Sequence, residues 1–409
     1  MRLLYSSLLI LNSSFAFAQT WEAVGGGIQG GDSNICAPVF SLCGYNGKLY
    51  AAGLMTRAGN MPVNNIASWD GKRWDTLGRG LNGVVKAMCV YKNALCVGGQ
   101  FSKAGRKKVN DVAQWVDTTR TIPEWYNLGA GISRNGLEGI SAAANLRVLY
   151  KYDSNLYVGG AFSATGDGKP AFDIAKWNTT RWSKLPRFVK TIREDTAGGG
   201  LGYNGEINAF GVYKGKLYIG GGFNFWFDEE VPKDMHKAGE YSGVCTWDGK
   251  KWSDVMEFKF TTGRAINSMV MYDSILYIGG SFGSVSGNTY NNIVGWNGKN
   301  WVSLGAGIHG TVWAMQEYNG KLYVGGNFDS AGGVAAKNIA AWNGQTWEAV
   351  GAGLEGSYNG KLPQVSSLCV YKGELYAGGY FNSSGGKLVN HIAKLNLKGT
   401  KPVPTKSKK

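Results

Sequence analysis

A seven-bladed, all-β propeller with four antiparallel strands per blade is the fold this sequence predicts. Three observations carry the prediction. One phrase, an apolar strand ending in Tyr, then a two-residue turn and Leu-Tyr-x-Gly-Gly, returns seven times with small variations along the 409 residues. The composition suits short strands and tight turns, with 63 glycines, 9 prolines and 13% aromatic residues. No segment of comparable length sustains a 3.6-residue apolar period, so helix is expected to be nearly absent. At 44% hydrophobic the chain is no disordered polymer, and its length is ample for a large core. Length alone would allow two or three domains, but a repeat of this kind argues for one.

The first half of each unit is strand A, a turn and strand B: YNGKLYAAG from Tyr45, YKNALCVGG from Tyr91, YDSNLYVGG from Tyr152, YKGKLYIGG from Tyr213, YDSILYIGG from Tyr272, YNGKLYVGG from Tyr318 and YKGELYAGG from Tyr371. The second half is strand C, a turn and strand D, as in NIASWDGKRWDTLGRG from Asn65 and NIAAWNGQTWEAVGAG from Asn338. Asn-Gly and Asp-Gly at these turns supply the positive φ of a type I′ hairpin. Trp69, Trp115, Trp177, Trp247, Trp296 and Trp342 fall on strand C. Trp21, Trp74, Trp125, Trp182, Trp252, Trp301 and Trp347 open strand D. Their periodic placement marks them as packing residues between sheets. Asn65, Asp111, Asp173, Asn292 and Asn338 precede strand C in register, and read as side chains tying loop backbone.

The ends of the chain predict ring closure. The last unit stops at Asn390-HIAKLN, which is strand C, while Trp21-EAVGGGI matches Trp347-EAVGAGL almost letter for letter. Residues 21–28 are therefore expected to supply the last blade's missing strand D. Residues 1–18 have the form of a signal peptide: Arg2, an apolar run from Leu3 to Leu11, and Ala16-Phe17-Ala18 before Gln19. The apolar run is too short to span a bilayer, and no other segment reads as a transmembrane helix. The expected division is a leader at 1–18, a propeller at 19–397 and a basic, disordered tail at 398–409. Secretion, to the periplasm or the cell surface, follows from the leader.

The formal net charge is +15, of which Arg2 and five tail lysines account for six, leaving +9 on the body. Without a basic helix or stripe this reads as solubility, and nucleic acid is not an expected partner. The tail KGTKPVPTKSKK is a candidate tether to an anionic surface. The six cysteines are too few to form a framework, and no C-x-x-C pair exists. With Lys92-Asn93 as the turn, Cys89 falls opposite Cys96, which makes them a candidate disulfide. That register is the hydrogen-bonded one, with Cα atoms about 5.5 Å apart.

The repeat resembles the kelch or galactose-oxidase type of propeller, which also carries a diglycine after the second strand and an aromatic pair across the last two. Here the diglycines run from Gly98-Gly99 to Gly378-Gly379, and the first unit departs with Ala52-Gly53. The resemblance covers residues 21–397. It implies the fold and no single function, since such propellers serve as adhesion modules, scaffolds and a few enzymes. A copper radical centre of that type would need paired His, Tyr ligands and a Cys beside one Tyr. No such set can be assigned, and no cofactor or metal is expected.

In a propeller the A–B and C–D turns share one face, and the B–C and D–A loops share the other. The second set reads as long and irregular, which places ligand binding there. Its candidate residues are Phe225, Trp226, Phe227, Asp228, Glu229, Glu230 and His236 in the swollen fourth B–C loop, with Glu194 and Glu206 from a D–A loop. His309 lies beside that face, and Trp313 on strand A is expected near the central channel. The three histidines, His236, His309 and His391, come from different blades, whereas a metal needs its ligands within about 2 Å of one ion. The reading is a monomeric, non-enzymatic module that binds a glycan or a protein. The alternative is a carbohydrate-active lyase or hydrolase using carboxylates such as Glu194, Glu206 or Glu229, which would have to sit roughly 5–10 Å apart in pairs.

Overall fold

The computed structural model describes residues 19–30, 38–117, 122–133, 144–186, 206–222, 241–255, 259–260, 263–285, 287–356 and 360–397. The expected leader and tail lie outside them. The described residues are all-β, with no helix among them, and none is long and apolar enough to cross a membrane as a helix.

Within each unit, strands A to D hydrogen-bond in chain order. Val39–Tyr45, Lys48–Gly53, Ile66–Trp69 and Trp74–Asp75 form one such sheet. Ile308–Tyr318, Lys321–Ala331, Ile339–Trp342 and Trp347–Ala349 form another. The order recurs in the units opening at Val84–Tyr91, Asn145–Tyr152, Glu206–Tyr213 and Gly263–Tyr272. In the last unit, Gln364–Tyr371, Glu374–Tyr380 and Ile392–Asn396 take Thr20–Ala23 as their fourth strand, with Trp21 opposite Leu395. The A strands pack side by side in chain order, and Gln364–Tyr371 packs back against Val39–Tyr45.

The two classes of tight turn differ. In the A–B turns both central residues are left-handed, including the non-glycine pairs Lys92-Asn93 and Asp153-Ser154, as type I′ requires. In the C–D turns only the residue after the Asp or Asn is left-handed, as at Gly71 and Gly344, so the expected type I′ geometry does not hold there. The Asp70 Oδ1 instead accepts from the amides of Lys72 and Arg73 at 2.7 and 2.8 Å. A side chain thus stabilises a turn that needs a left-handed conformation at one position only.

The diglycine has two separate causes. A Cβ on the first glycine, as at Gly325, would lie 2.5 Å from Cγ1 of Val365 in the next sheet. A Cβ on the second, Gly326, would strike the Thr311 carbonyl of its own strand A. A neighbouring side chain can yield and a paired backbone cannot, and this fits the first unit, where Ala52 replaces the first glycine while Gly53 keeps the second.

Two rows of side-chain hydrogen bonds join one sheet to the next. Indole Nε1 of Trp74 donates to Val24 O, Trp125 to Leu77 O, Trp182 to Leu128 O and Trp347 to Leu304 O, at 2.7–3.1 Å. The C and D tryptophans of one sheet pack in pairs, with ring centroids 5.2 Å apart for Trp69–Trp74 and 5.3 Å for Trp342–Trp347. At the other end of strand A, the closing Tyr donates its hydroxyl to the turn of the following sheet. Tyr45 reaches Asn93 O, Tyr152 Gly215 O, Tyr318 Gly373 O and Tyr371 Gly47 O, at 2.7–3.0 Å. Each of these hydrogen-bonding tryptophans and tyrosines therefore packs its ring while its polar atom finds a carbonyl, the condition for placing Tyr or Trp in a core.

The B–C connections are more regular than expected. Short ribbons occur at Arg57–Ala58 with Met61–Pro62, Lys103–Ala104 with Lys107–Lys108, Ser284–Val285 with Asn288–Thr289, and Ser383–Ser384 with Lys387–Leu388. In three units an Asn before strand C holds the ribbon down. Asn338, for example, accepts from Phe328 N at 3.0 Å and donates to Leu354 O at 2.7 Å, joining ribbon, strand and D–A loop. Asn65 and Asn292 do the same. These residues are structural ties. At Asp111, burial pushes the carboxyl up to about 7, against the pull of the Phe101 and Ala144 amides.

Candidate functional site at the strand A bulges

Every A strand is bulged at one shared position, where one of its residues has no partner on strand B. The A–B pairing skips Phe40, Lys86, Arg147, Asn208, Asn267, Trp313 and Ser366. A bulge bends its strand and re-aims the extra side chain. All seven stand five residues before the closing Tyr, and all are half-buried. The residue before each is a fully buried aliphatic: Val39, Val85, Leu146, Ile207, Ile266, Val312 or Val365. A constant frame thus presents side chains that differ from sheet to sheet, at the place where the innermost strands meet.

Several of these side chains touch across sheets. Lys86 Nζ stands 3.5 Å from the Phe40 ring centroid. Phe40 meets Tyr380 edge-on at 5.8 Å, and Lys361 Nζ lies 5.3 Å from the Tyr380 ring. Arg147 Nη2 is paired with Glu206 Oε2 at 2.9 Å. Asn267 Nδ2 donates to Val312 O at 3.0 Å, and Asn208 Oδ1 is buried with no hydrogen-bond partner among the described residues. Burial, then the like charges of Arg147 and Lys361, pull the Lys86 ammonium down to about 8, with Glu206 acting in the opposite direction. Lys86, Lys361, Phe40 and Tyr380 thus combine cationic and aromatic groups that can attract an anion.

Of the residues expected from the sequence, Trp313 stands at a bulge, and Glu206 opens strand A two positions before Asn208. His309 lies apart, exposed, with Nδ1 2.8 Å from Asp329 Oδ1. Phe225, Trp226, Phe227, Asp228, Glu229, Glu230, His236 and Glu194 lie outside the described residues. His391 is not near His309 in kind. It occupies the position held by Asn65 and Asn338 in other units, with φ +67°, and is 6% exposed. Burial pulls its imidazole down to about 4. No group of three metal-ligating side chains occurs among the described residues.

Cys89 and Cys96 are direct cross-strand neighbours, as the turn register requires, yet both are free thiols. Cys89 Sγ instead points to Val90 O at 3.6 Å, and the hydrogen-bonded register is the less favourable one for a bridge. Burial raises the Cys89 thiol to about 11 and the Cys96 thiol further, so both pack as small apolar groups. Phe40, Lys86, Arg147, Asn208, Asn267 and Ser366 were not among the residues expected from the sequence. The signal for them was present: a fixed offset from the repeated Tyr at which residue type does not repeat.

Comparison with known proteins gives one family match. A family described as a domain of unknown function (DUF5122) beta-propeller matches residues 373–401. No curated protein matches the chain. Among solved structures, the computationally designed Ika8 protein is similar at 12% identity and a TM-score of 0.43, over 90% of this chain and 99% of that one. YCF48 bound to D1 peptide is similar at 10% identity and a TM-score of 0.47, over 92% of this chain and 96% of that one. The sheet order and the family match make this chain a β-propeller, without assigning it to the kelch type.

Proposed function

We propose that the protein is an exported, non-enzymatic binding module that recognises its glycan or protein partner at the ring of bulge residues. The single observation that carries this reading is the contrast within strand A. Six residue types occupy the seven bulge positions, while the flanking aliphatic and the closing Tyr hardly change. Structure alone gives no reason for that variety, whereas a binding surface needs it. The ring belongs to a seven-bladed propeller closed by its N-terminal strand. Three contacts support closure: Thr20–Ala23 on Ile392–Asn396, the 2.8 Å bond from Ile28 N to Asn390 O, and the Tyr371–Gly47 bond. Glu206 is already committed to Arg147, which argues against its use as a general acid or base.

The test is a screen of immobilised glycans and envelope proteins against three forms of the full chain. The wild type and the turn-face variant Lys372→Ala should capture the same partner, while Lys86→Ala/Trp313→Ala should not. Equal capture by all three, or loss in the turn-face variant alone, would reject the bulge ring as the binding surface.

A further inference from the structure

We infer that the junction between the last and first sheets holds a site for a doubly charged oxyanion, anchored on Lys86 where it lies over Phe40 and closed by Lys361 from the side of Tyr380. The inference rests on the binding role proposed above and names the charged group that the bulges take. Three sheets contribute to the site. Lys86 comes from the second, Phe40 from the first and Tyr380 from the last, with Lys361 in the connection that leads into the last sheet's strand A.

What Lys86 lacks is the first ground. Four other half-buried lysines, Lys48, Lys107, Lys321 and Lys394, each have a carboxylate oxygen within 3.4 Å. Lys86 is half-buried too, yet it makes no ion pair among the described residues, and its Nζ rests 3.5 Å from the Phe40 ring centroid. An aromatic face attracts a cation but does not neutralise it. An ammonium partly withdrawn from water and left without a counter-charge favours an incoming anion, because the attraction is stronger there than at an exposed lysine.

The count of charge is the second. Arg147 is held by Glu206 at 2.9 Å, so that pair brings no net charge. Lys361 is exposed, makes no ion pair among the described residues, and sets its Nζ 5.3 Å from the Tyr380 ring, which itself meets Phe40 at 5.8 Å. The two lysines thus flank one aromatic pair, and the charge of Lys361 is felt at Lys86. A lysine stem is flexible, so Lys361 can swing its ammonium onto an anion that Lys86 already holds. Two cations without a carboxylate match two negative charges on one small group, of which a carboxylate supplies half. Both cations are point charges, and the one guanidinium nearby is engaged, so the site makes no demand for the planar geometry of a carboxylate.

The test is calorimetric titration of the full chain with sulfate, and separately with acetate, at one ionic strength held by chloride. Sulfate should bind saturably, and acetate about tenfold or more weakly. Lys86→Met should weaken sulfate about 10- to 100-fold with an unchanged unfolding temperature in its absence, Lys361→Met about 3- to 10-fold, and the turn-face variant Lys372→Ala not at all. Arg147, Lys361 and Glu206 are the charged groups acting on Lys86, whose ammonium is drawn down to about 8. Raising the pH from about 7 to about 9 should therefore weaken sulfate about tenfold in the wild type, while Lys86→Arg should bind as the wild type does at neutral pH and hold that affinity. Equal binding of sulfate and acetate, an unchanged affinity in Lys86→Met, or the same pH dependence in Lys86→Arg would each overturn the site. Sulfate added to the partner screen separates two sources of the group: lost capture places the oxyanion on the partner, and unaltered capture makes it a free ion bound alongside. If the screen depends on Lys86 and Trp313 but sulfate does not bind, the oxyanion site falls alone. If Lys86→Ala/Trp313→Ala still captures the partner, the binding role falls, whatever sulfate does.

Discussion

Strand A ends on a Tyr whose hydroxyl reaches the next sheet's turn, and five residues earlier it bulges at a side chain that changes from sheet to sheet. The two ends lie on one strand and share its backbone restraints, yet they behave oppositely. At the Tyr end each unit meets the same neighbour, so the same residue solves the same packing problem every time. At the bulge end the side chain leaves the sheet and is freed from that demand. Repetition within the chain therefore marks what holds the sheets together. Variation at a fixed register marks the positions that the packing of the sheets leaves open. Substitutions should follow this division, costing stability at one end and binding at the other.

The repeated side should break hardest at its tryptophans. Trp347 is 6% exposed, pairs with Trp342 and donates to Leu304 O at 2.7 Å in the preceding sheet. Trp347→Ala should cost about 3–5 kcal/mol in urea-induced unfolding, from lost packing and an orphaned carbonyl. A loss below about 1 kcal/mol would show that the sheets stand without this contact.

The next effect tests a place where the repeated frame is imperfect. His391 stands where other units have Asn, and burial holds its imidazole at about 4. The unfolded chain, with an ordinary histidine near 6.5, takes up its proton first as the pH falls. Stability should thus be full above about 6.5, decline by up to ~3 kcal/mol as the pH falls toward 4, and level off below that. His391→Asn should restore the side-chain tie seen at Asn338 and flatten that acid limb. Parallel unfolding curves for the two proteins between those limits would refute the buried, neutral imidazole.

A smaller loss tests closure. Tyr371→Phe removes the hydroxyl bond to Gly47 O, and Tyr152→Phe removes the corresponding bond to Gly215 O. Each should cost about 1 kcal/mol. Equal losses would mean that the junction between the last and first sheets is one junction among others. A Tyr371→Phe loss near zero would indicate that the two ends of the chain are not held together in solution.

Much of this was legible before any coordinates. The Tyr, the tryptophan pairs, the A–B turns and the Asn ties recur with backbone geometry, so period and turn chemistry sufficed to place them. The C–D turn was misjudged because Asp70 caps it with its side chain, and dipeptide identity alone does not reveal that. The B–C ribbons were missed because their composition looks like loop: each ribbon strand is only two residues long. The site was harder. Sequence reasoning favoured the swollen loop at 225–241 for its aromatics and carboxylates. Bulge residues such as Lys86 and Arg147 are ordinary in composition, and their fixed offset from the Tyr gains meaning once the A–B register shows that they stand out of the ladder. Trp313 was noticed because tryptophan is conspicuous, and its six counterparts were not.

The smallest expected effect is also the sharpest test of the contrast. Lys86 is half-buried among like charges, and its ammonium is already drawn down to about 8. A folded-state pKa below the unfolded value means that the fold disfavours the charge, and this contribution to stability grows as the pH rises through that range. Lys86→Met keeps the apolar stem over Phe40 and removes the charge. Its unfolding free energy at neutral pH should lie within about 0.5 kcal/mol of the wild type, or slightly above it. A loss comparable to that of Trp347→Ala would make the bulge lysine a structural residue, and the two ends of strand A would no longer differ in what they contribute to the packing of the sheets.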